Sequence, residues 1–196
     1  MTRADNDKPV VLSTIYTRTG DDGGTALGDM SRTSKTDPRL AAYADVEEAN
    51  AAIGVAMALG GLAPEVNVVL TRVQNELFDL GADLCMPLTE NPPFPPLRVE
   101  QEYVDRLEEQ CDRFNAGLTP LRSFILPGGA PGTALLHVAR TVVRRAERTA
   151  WAALEAHEDV NPLTARYLNR LSDLLFILCR VVAAGQEVLW KPGGTR

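Results

Sequence analysis

The chain has 196 residues, a formal charge of −6, 45% hydrophobic residues and 23% charged residues. That length and balance fit one soluble globular domain with a sizeable core, and the negative charge argues against a general binder of nucleic acid or anionic membrane. No apolar run approaches the ~20 residues of a membrane helix, and the polar start Met1–Pro9 is neither a signal nor a transit leader. In chain order, residues 1–14 read as a disordered tail. YTRTGDDGGTALGD, residues 16–29, holds four glycines and three aspartates in fourteen positions. It is too glycine-rich for a helix and too polar for a buried strand. It lacks the Gly-Lys-Ser/Thr of a Walker loop and the GxGxxG of a dinucleotide fold. A plain turn and a nest of N–H groups cradling phosphate both remain open.

From residue 37 onward the chain reads as helices. Asp37-Pro38 starts the first, which runs to Gly60-Gly61. The second starts near Pro64 and carries Val66, Val69, Leu70, Val73, Leu77, Leu80 and Leu84 at three–four spacing. It stops before MPLTENPPFPPL, residues 86–97, where five prolines forbid a helix and give a long ordered loop. A third helix covers roughly 99–115. FILPGGAPG, residues 124–132, breaks the chain ahead of a fourth helix from about 133 to 157. Asn161-Pro162 caps a fifth that ends at Gly185. No strand-period segment of useful length follows residue 30. The expected architecture is all-α, a bundle of about five helices.

The fourth helix is the most informative. On a ~100° wheel, Leu135, Val138, Ala139, Val142, Ala146 and Ala153 form a core face. His137, Arg140, Arg144, Glu147 and Arg148 gather on the opposite arc, with Arg145 off the cluster. A solvated face normally alternates Glu with Lys, and this one does not. Three guanidiniums on one line suit a polyanion such as a triphosphate. On the fifth helix, Arg166, Asn169, Asp173, Phe176 and Arg180 share one arc. That arc reads equally as a polar seam between helices or as a contact to the same ligand. Cys85, Cys111 and Cys179 are odd in number and far apart, so reduced thiols of a cytoplasmic protein are expected rather than disulfides or a zinc ribbon.

Taken together, IYTRTGDDGGT, SKTDPRLAAYADVEEANAAIG, FILPGG, LHVARTVVRRAER and YLNRLSDLLF resemble, in order, the blocks of the PduO-type ATP:cob(I)alamin adenosyltransferases. The resemblance covers residues 15–190. It implies a five-helix bundle domain over 15–186, assembled as a homotrimer with ATP bound between subunits. It also implies transfer of the 5′-deoxyadenosyl group of ATP to cob(I)alamin, giving adenosylcobalamin and triphosphate. Carried over by position, the ATP contacts fall on Thr17, Arg18, Thr19, Gly20, Thr25, Lys35, Arg140, Arg144, Arg145, Glu147, Arg148 and Asn169. The catalytic set is Arg144, Glu147, Arg148 and Phe124, the last shielding one face of the cobalt. Phe124, Asp173 and Trp190 are assigned to cobalamin.

One position departs from the family pattern. The family often has an aspartate in the first helix that pairs with an arginine across the subunit interface, and Glu47 stands here instead. Asp21 and Asp22 beside an anion suggest a hydrated Mg²⁺, although a glycine turn uses the same residues. The resemblance further implies a reductase that supplies the reduced substrate and a mutase that receives the product.

The chemistry agrees with what the sequence lacks. It has two histidines, His137 and His157, and no serine in an elbow motif. Co(I) is itself a nucleophile, and the triphosphate leaves without a proton transfer. Two other readings were weighed: a non-catalytic corrinoid carrier or nucleotide sensor on the same bundle, and a ferritin-like di-metal protein. The second needs Glu-x-x-His pairs, and the chain has none. In the last segment, residues 187–196, Trp190 is either packed on the bundle or part of a flap that closes over corrinoid.

Overall fold

The computed structural model describes residue 16, residues 18–92 and residues 94–195. The expected disordered tail and Thr17 lie outside the described residues. Five helices carry the fold: α1 Pro38–Leu59, α2 Pro64–Cys85, α3 Gln101–Asn115, α4 Pro131–Ala156 and α5 Pro162–Ala183. A proline opens four of them, at a position where its missing N–H has no partner to lose. Asp37 caps α1 by accepting from the Arg39 amide at 2.8 Å, and Asn161 caps α5 by accepting from the Leu163 amide at 3.0 Å.

Helix α4 is the centre of the bundle, packed between α1 and α5, while α2 covers α1 and α3 covers α5. Small residues make this possible. Ala139, Ala146, Ala150 and Ala153 are fully buried on α4, and Ala42, Ala49 and Ala56 on α1. At the end of the pair the two backbones nearly touch: a Cβ on Gly132 would lie 2.6 Å from the Gly60 carbonyl. Between α2 and α5 the core is leucine-rich, with Leu70, Leu77, Leu80, Leu168, Leu171, Leu174, Leu175 and Leu178 all buried. Each such side chain contributes on the order of 2 kcal/mol by leaving water.

One carboxylate anchors the far end of the proline-rich connection from α2 to α3. Buried Asp83 accepts from Arg98 Nη1 at 2.6 Å, from the Val99 amide at 2.8 Å and from Asn161 Nδ2 at 2.6 Å. The Val99 amide is committed to Asp83 and Glu100 is extended, so α3 starts at Gln101 rather than at 99. Conversely, α4 starts at Pro131, inside the segment read as a break, because that proline fits the first turn. The three cysteines are free thiols. Burial raises Cys111 to about 11 and Cys179 to about 12, so both stay protonated at neutral pH.

Two departures from the sequence reading matter for function. The first is a short antiparallel hairpin, β1 Gly24–Ala26 with β2 Arg32–Ser34, pairing Thr25 with Thr33. Three-residue strands lie below what an alternating pattern can signal. The second concerns the faces of α4. Val138, expected in the core, is 55% exposed, whereas His137, placed with the arginines, is only 3% exposed. Helix α4 is covered on two sides, by α1 and by α5, so its buried arc is wider than a single apolar stripe. His137 falls inside the half that meets Phe176 of α5, with ring centroids 6.5 Å apart.

Candidate functional site

The hairpin shapes the glycine-rich stretch. Gly23 has φ +84°, and the Lys35 amide donates to its carbonyl at 2.9 Å. A Cβ on Gly20 would meet the Gly24 carbonyl at 2.9 Å and Lys35 Nζ at 3.0 Å. Gly20 is therefore required where the Lys35 ammonium passes over the turn. Asp22 accepts from the Gly24 amide at 2.9 Å and faces Arg32 at 3.7 Å. The Gly24 amide above all, helped by Arg32 and Lys35, holds its carboxyl below the usual range against the opposing effect of desolvation. Arg32 also donates to the Thr19 carbonyl at 3.1 Å. Arg18 adopts φ +60° and lies over the Tyr16 ring at 5.5 Å. Thr33 Oγ1 donates to Asp37 at 2.8 Å, and His157, at the end of α4, lies 2.8 Å from the same carboxylate. The hairpin thus sits at the C-terminal end of α4.

Further up α4 lies a polar pocket of about 410 Å³, lined by Thr141, Arg144, Arg145, Glu147, Arg148 and Asn169. Arg144 and Arg148 are exposed, and no ion pair or hydrogen bond is seen to engage either guanidinium among the described residues. Glu147 accepts from Asn169 Nδ2 at 3.1 Å, which ties the α4 line to the α5 line. Arg145 turns away to α1, where it pairs with Glu48 and lies 3.6 Å from Asp45. Its place off the arginine cluster on the wheel is thereby explained. Glu47, its neighbour in α1, is exposed and belongs to neither contact. Asp173, on the α5 line, is engaged by Arg170 at 2.7 Å, and Arg170 also reaches Glu108 on α3.

One turn toward the N-terminus of α4 is a larger cleft of about 780 Å³, walled by Leu121, Phe124, Ile125, Phe176 and Trp190, with Arg140 at its edge. Arg140 lies over the Phe176 ring at 5.8 Å, and His137 packs against the same ring. Burial and the Arg140 charge both hold the His137 imidazole below its ordinary range, so it is neutral at pH 7.

Phe124 is 77% exposed and Trp190 41% exposed, and their rings meet edge to face at 6.1 Å. A ladder holds them. The Trp190 amide donates to the Phe124 carbonyl at 2.7 Å, the Leu126 amide donates to the Val188 carbonyl at 2.8 Å, and Ser123 Oγ donates to the Trp190 carbonyl at 2.9 Å. Trp190 therefore packs on the segment that carries Phe124. No signal in either short segment announced this pairing.

Arg140 belongs to the aromatic cleft and Arg144 to the polar pocket, so the two cavities adjoin along α4 about 6 Å apart. No residue of the hairpin lines either. A model of the family described as cobalamin adenosyltransferase matches residues 15–182. The chain belongs to that family. It is 65% identical over 188 residues to the corrinoid adenosyltransferase of Mycobacterium tuberculosis, covering 95% of this chain and 97% of that one. A corrinoid adenosyltransferase of Bacillus subtilis is 40% identical over 173 residues, covering 87% of this chain and 86% of that one.

Among solved structures, a variant of the PduO-type ATP:corrinoid adenosyltransferase of Lactobacillus reuteri, complexed with cobalamin and ATP, superimposes with a TM-score of 0.80. It shares 32% identity, with 91% of this chain and 100% of that one covered. The fold is that of the PduO type, and the chain is an enzyme of this class. No helix of the described residues is long and apolar enough to cross a membrane.

Proposed function

We propose that the protein transfers the 5′-deoxyadenosyl group of ATP to cob(I)alamin. The observation that carries this reading is the adjacency of the two cavities on α4. Arg144 and Arg148, for which no partner is seen among the described residues, face the polar pocket, where a triphosphate would be neutralised. Aromatic walls line the neighbouring cleft, which suits a broad apolar ring system. Electron flow in the transfer is simple. The cobalt lone pair forms the Co–C5′ bond, the C5′–O5′ bond breaks, and triphosphate departs with that electron pair. The chain's task is to hold C5′ in line with cobalt, stabilise the leaving group and exclude water.

Arg144 and Arg148 are assigned to the triphosphate, Arg140 to the junction with the corrinoid, and Asn169 with Glu147 to the rim. Phe124 is assigned to the lower face of cobalt, where a bulky apolar ring disfavours an axial ligand and so eases reduction of Co(II). Trp190 extends that wall, and Asp173, three positions before Phe176 on α5 and outside the cleft's lining, is assigned to the periphery of the corrinoid. Lys35, Arg18, Thr19, Gly20 and Thr25 are assigned to ATP bound in a neighbouring copy. Within one chain His157 pairs with Asp37 beside the hairpin, and nine residues of α4, about 14 Å, separate His157 from Arg148.

A trimer that brings the two regions together is supported by an exposed stripe on α1: Ala44, Ala51, Val55, Ala58 and Leu59. Val138 and Trp151 on α4 are also exposed. Glu47, which is exposed on α1, is available for the interface pairing. No group of three or more His, Cys, Asp or Glu among the described residues could hold a metal ion, and Asp22 is committed to its own turn. Mg²⁺ is assigned to the phosphates of ATP. A cytoplasmic location and hand-off of the product to a mutase complete the reading. Incubation with ATP and chemically reduced cobalamin, followed by separation of the corrinoids, tests it: adenosylcobalamin and triphosphate should form in equal amounts.

A further inference from the structure

The Phe124–Trp190 wall is built from two segments outside the helices, yet a buried ion pair stands at its root. Helix α5 ends at Ala183. Ala184 takes φ +48° and Gly185 φ +80°, and this pair of left-handed residues reverses the chain. Two residues later Glu187 meets Arg180 of the last turn of α5, Nε to Oε1 at 3.3 Å. Arg180 also donates from Nη2 to the Thr119 carbonyl at 2.7 Å. One guanidinium thus joins three parts of the molecule: the end of α5, the C-terminal segment beginning at Glu187, and the loop that leads from Thr119 to Phe124. The side chains of Arg180 and Glu187 are only 8% and 12% exposed, so water screens the pair weakly. From that root the two segments run together through the Leu126–Val188 and Trp190–Phe124 hydrogen bonds.

The sequence reading placed Arg180 on the same arc as Asn169 and Asp173. The structure points it elsewhere, into this junction. Nothing in the proposed transfer uses its charge directly.

We propose that Arg180 and Glu187 are positioning residues for the corrinoid cleft. Their ion pair fixes the register of the C-terminal segment against residues 123–126, and so sets where the Phe124 ring stands. A mostly exposed aromatic side chain has little packing of its own to define its place, and here the definition comes from the backbone ladder. The proposal rests on the assignment of Phe124 to the cobalt face. It adds that the shielding ring is held from about 10–15 Å of chain away, by a charge pair outside the cleft.

The test compares Glu187→Ala, Glu187→Gln, Arg180→Met and Phe124→Ala in the full-length protein. Glutamine keeps an acceptor for Arg180, whereas alanine removes it. Two readouts are needed: amide hydrogen exchange at Leu126 and Trp190, and the optical and EPR signature of four-coordinate Co(II) in protein loaded with ATP and cob(II)alamin. Glu187→Ala is expected to speed exchange at both amides by about tenfold. It should also lower the four-coordinate fraction several-fold, with an unchanged KM for ATP. Glu187→Gln, which keeps an acceptor and loses the charge, should fall between Glu187→Ala and the unsubstituted protein on both readouts, and Arg180→Met should match Glu187→Ala. If Glu187→Ala leaves exchange at Leu126 and Trp190 as in the unsubstituted protein, the clamp is overturned, and that readout holds whatever cobalt does. If Phe124→Ala leaves the four-coordinate signal intact, the assignment of Phe124 fails instead. An Arg180→Met protein that does not fold leaves the decision with the two Glu187 variants, which alter a side chain at the rim of the junction.

Discussion

The two cavities on α4 are made in different ways. The polar pocket is built entirely from side chains on two packed helices, so its geometry is as rigid as the bundle. The aromatic cleft draws most of its wall from residues 121–125, 190 and 192, which belong to no helix and are held by a short ladder and one ion pair. On the proposed assignment, the triphosphate site inherits its precision from the core, while the corrinoid site draws its wall from segments outside the helices. The difference suits the ligands. A triphosphate needs fixed charges, whereas a corrinoid must enter and leave past a wall that still excludes water when closed.

The largest expected effect comes from the rigid side. Arg144→Ala should reduce kcat/KM for ATP by about 30-fold, corresponding to roughly 2 kcal/mol of lost transition-state stabilisation. Melting temperature and the spectrum of bound cob(II)alamin should stay as they are. Unaltered kinetics would return the arginine stripe to a solvated face. On the corrinoid side, Phe124→Ala should leave ATP affinity within about twofold and lower the four-coordinate Co(II) population by about tenfold, read by EPR.

Removing residues 188–196 while keeping Glu187 should weaken cobalamin retention by about fivefold, measured by dialysis or stopped-flow release, with smaller change in ATP binding. A truncated protein that retains cobalamin normally would show the segment to be dispensable. The smallest effect concerns His137, behind the cleft. Its folded pKa lies below the unfolded value of 6.5, so the unfolded chain gains a proton more readily and stability falls as pH drops through that range. Thermal melts from pH 7.5 to 5.5 should show a decline that His137→Phe reduces by about one or two degrees. An identical slope in the variant would mean that His137 titrates as in the unfolded chain.

The same contrast governed what the sequence disclosed. The five helices were readable because Asp37-Pro38, Pro64 and Asn161-Pro162 mark starts chemically and long apolar periods fill the spans between. Arg140, Arg144 and Arg148 were readable because helical spacing alone brings them onto one line. His137 was misplaced because a wheel assumes one buried face, and α4 has two. The ladder between residues 123–126 and 188–190 was not readable at all. Two of its bonds, Leu126 to Val188 and Trp190 to Phe124, are backbone to backbone across 62 and 66 residues of sequence, and such bonds leave no pattern in side chains. The Arg180–Glu187 pair had a faint signal in a basic residue at the end of a helix followed by an acidic one beyond a glycine. That signal also fits an ordinary C-terminal charge preference.

Because Arg140 and Arg144 belong to different cavities yet lie on one uninterrupted helix, α4 would act as a ruler between the two substrates in the proposed transfer. Each residue adds about 1.5 Å of rise and 100° of rotation. Point changes between these arginines would leave the ruler's marks in place. A one-residue insertion would not: it would turn one cavity by more than a quarter of a circle relative to the other while barely changing composition or helix content. The segment from 140 to 144 should therefore accept substitutions far more readily than any change in length, a constraint on spacing that no single side chain reveals.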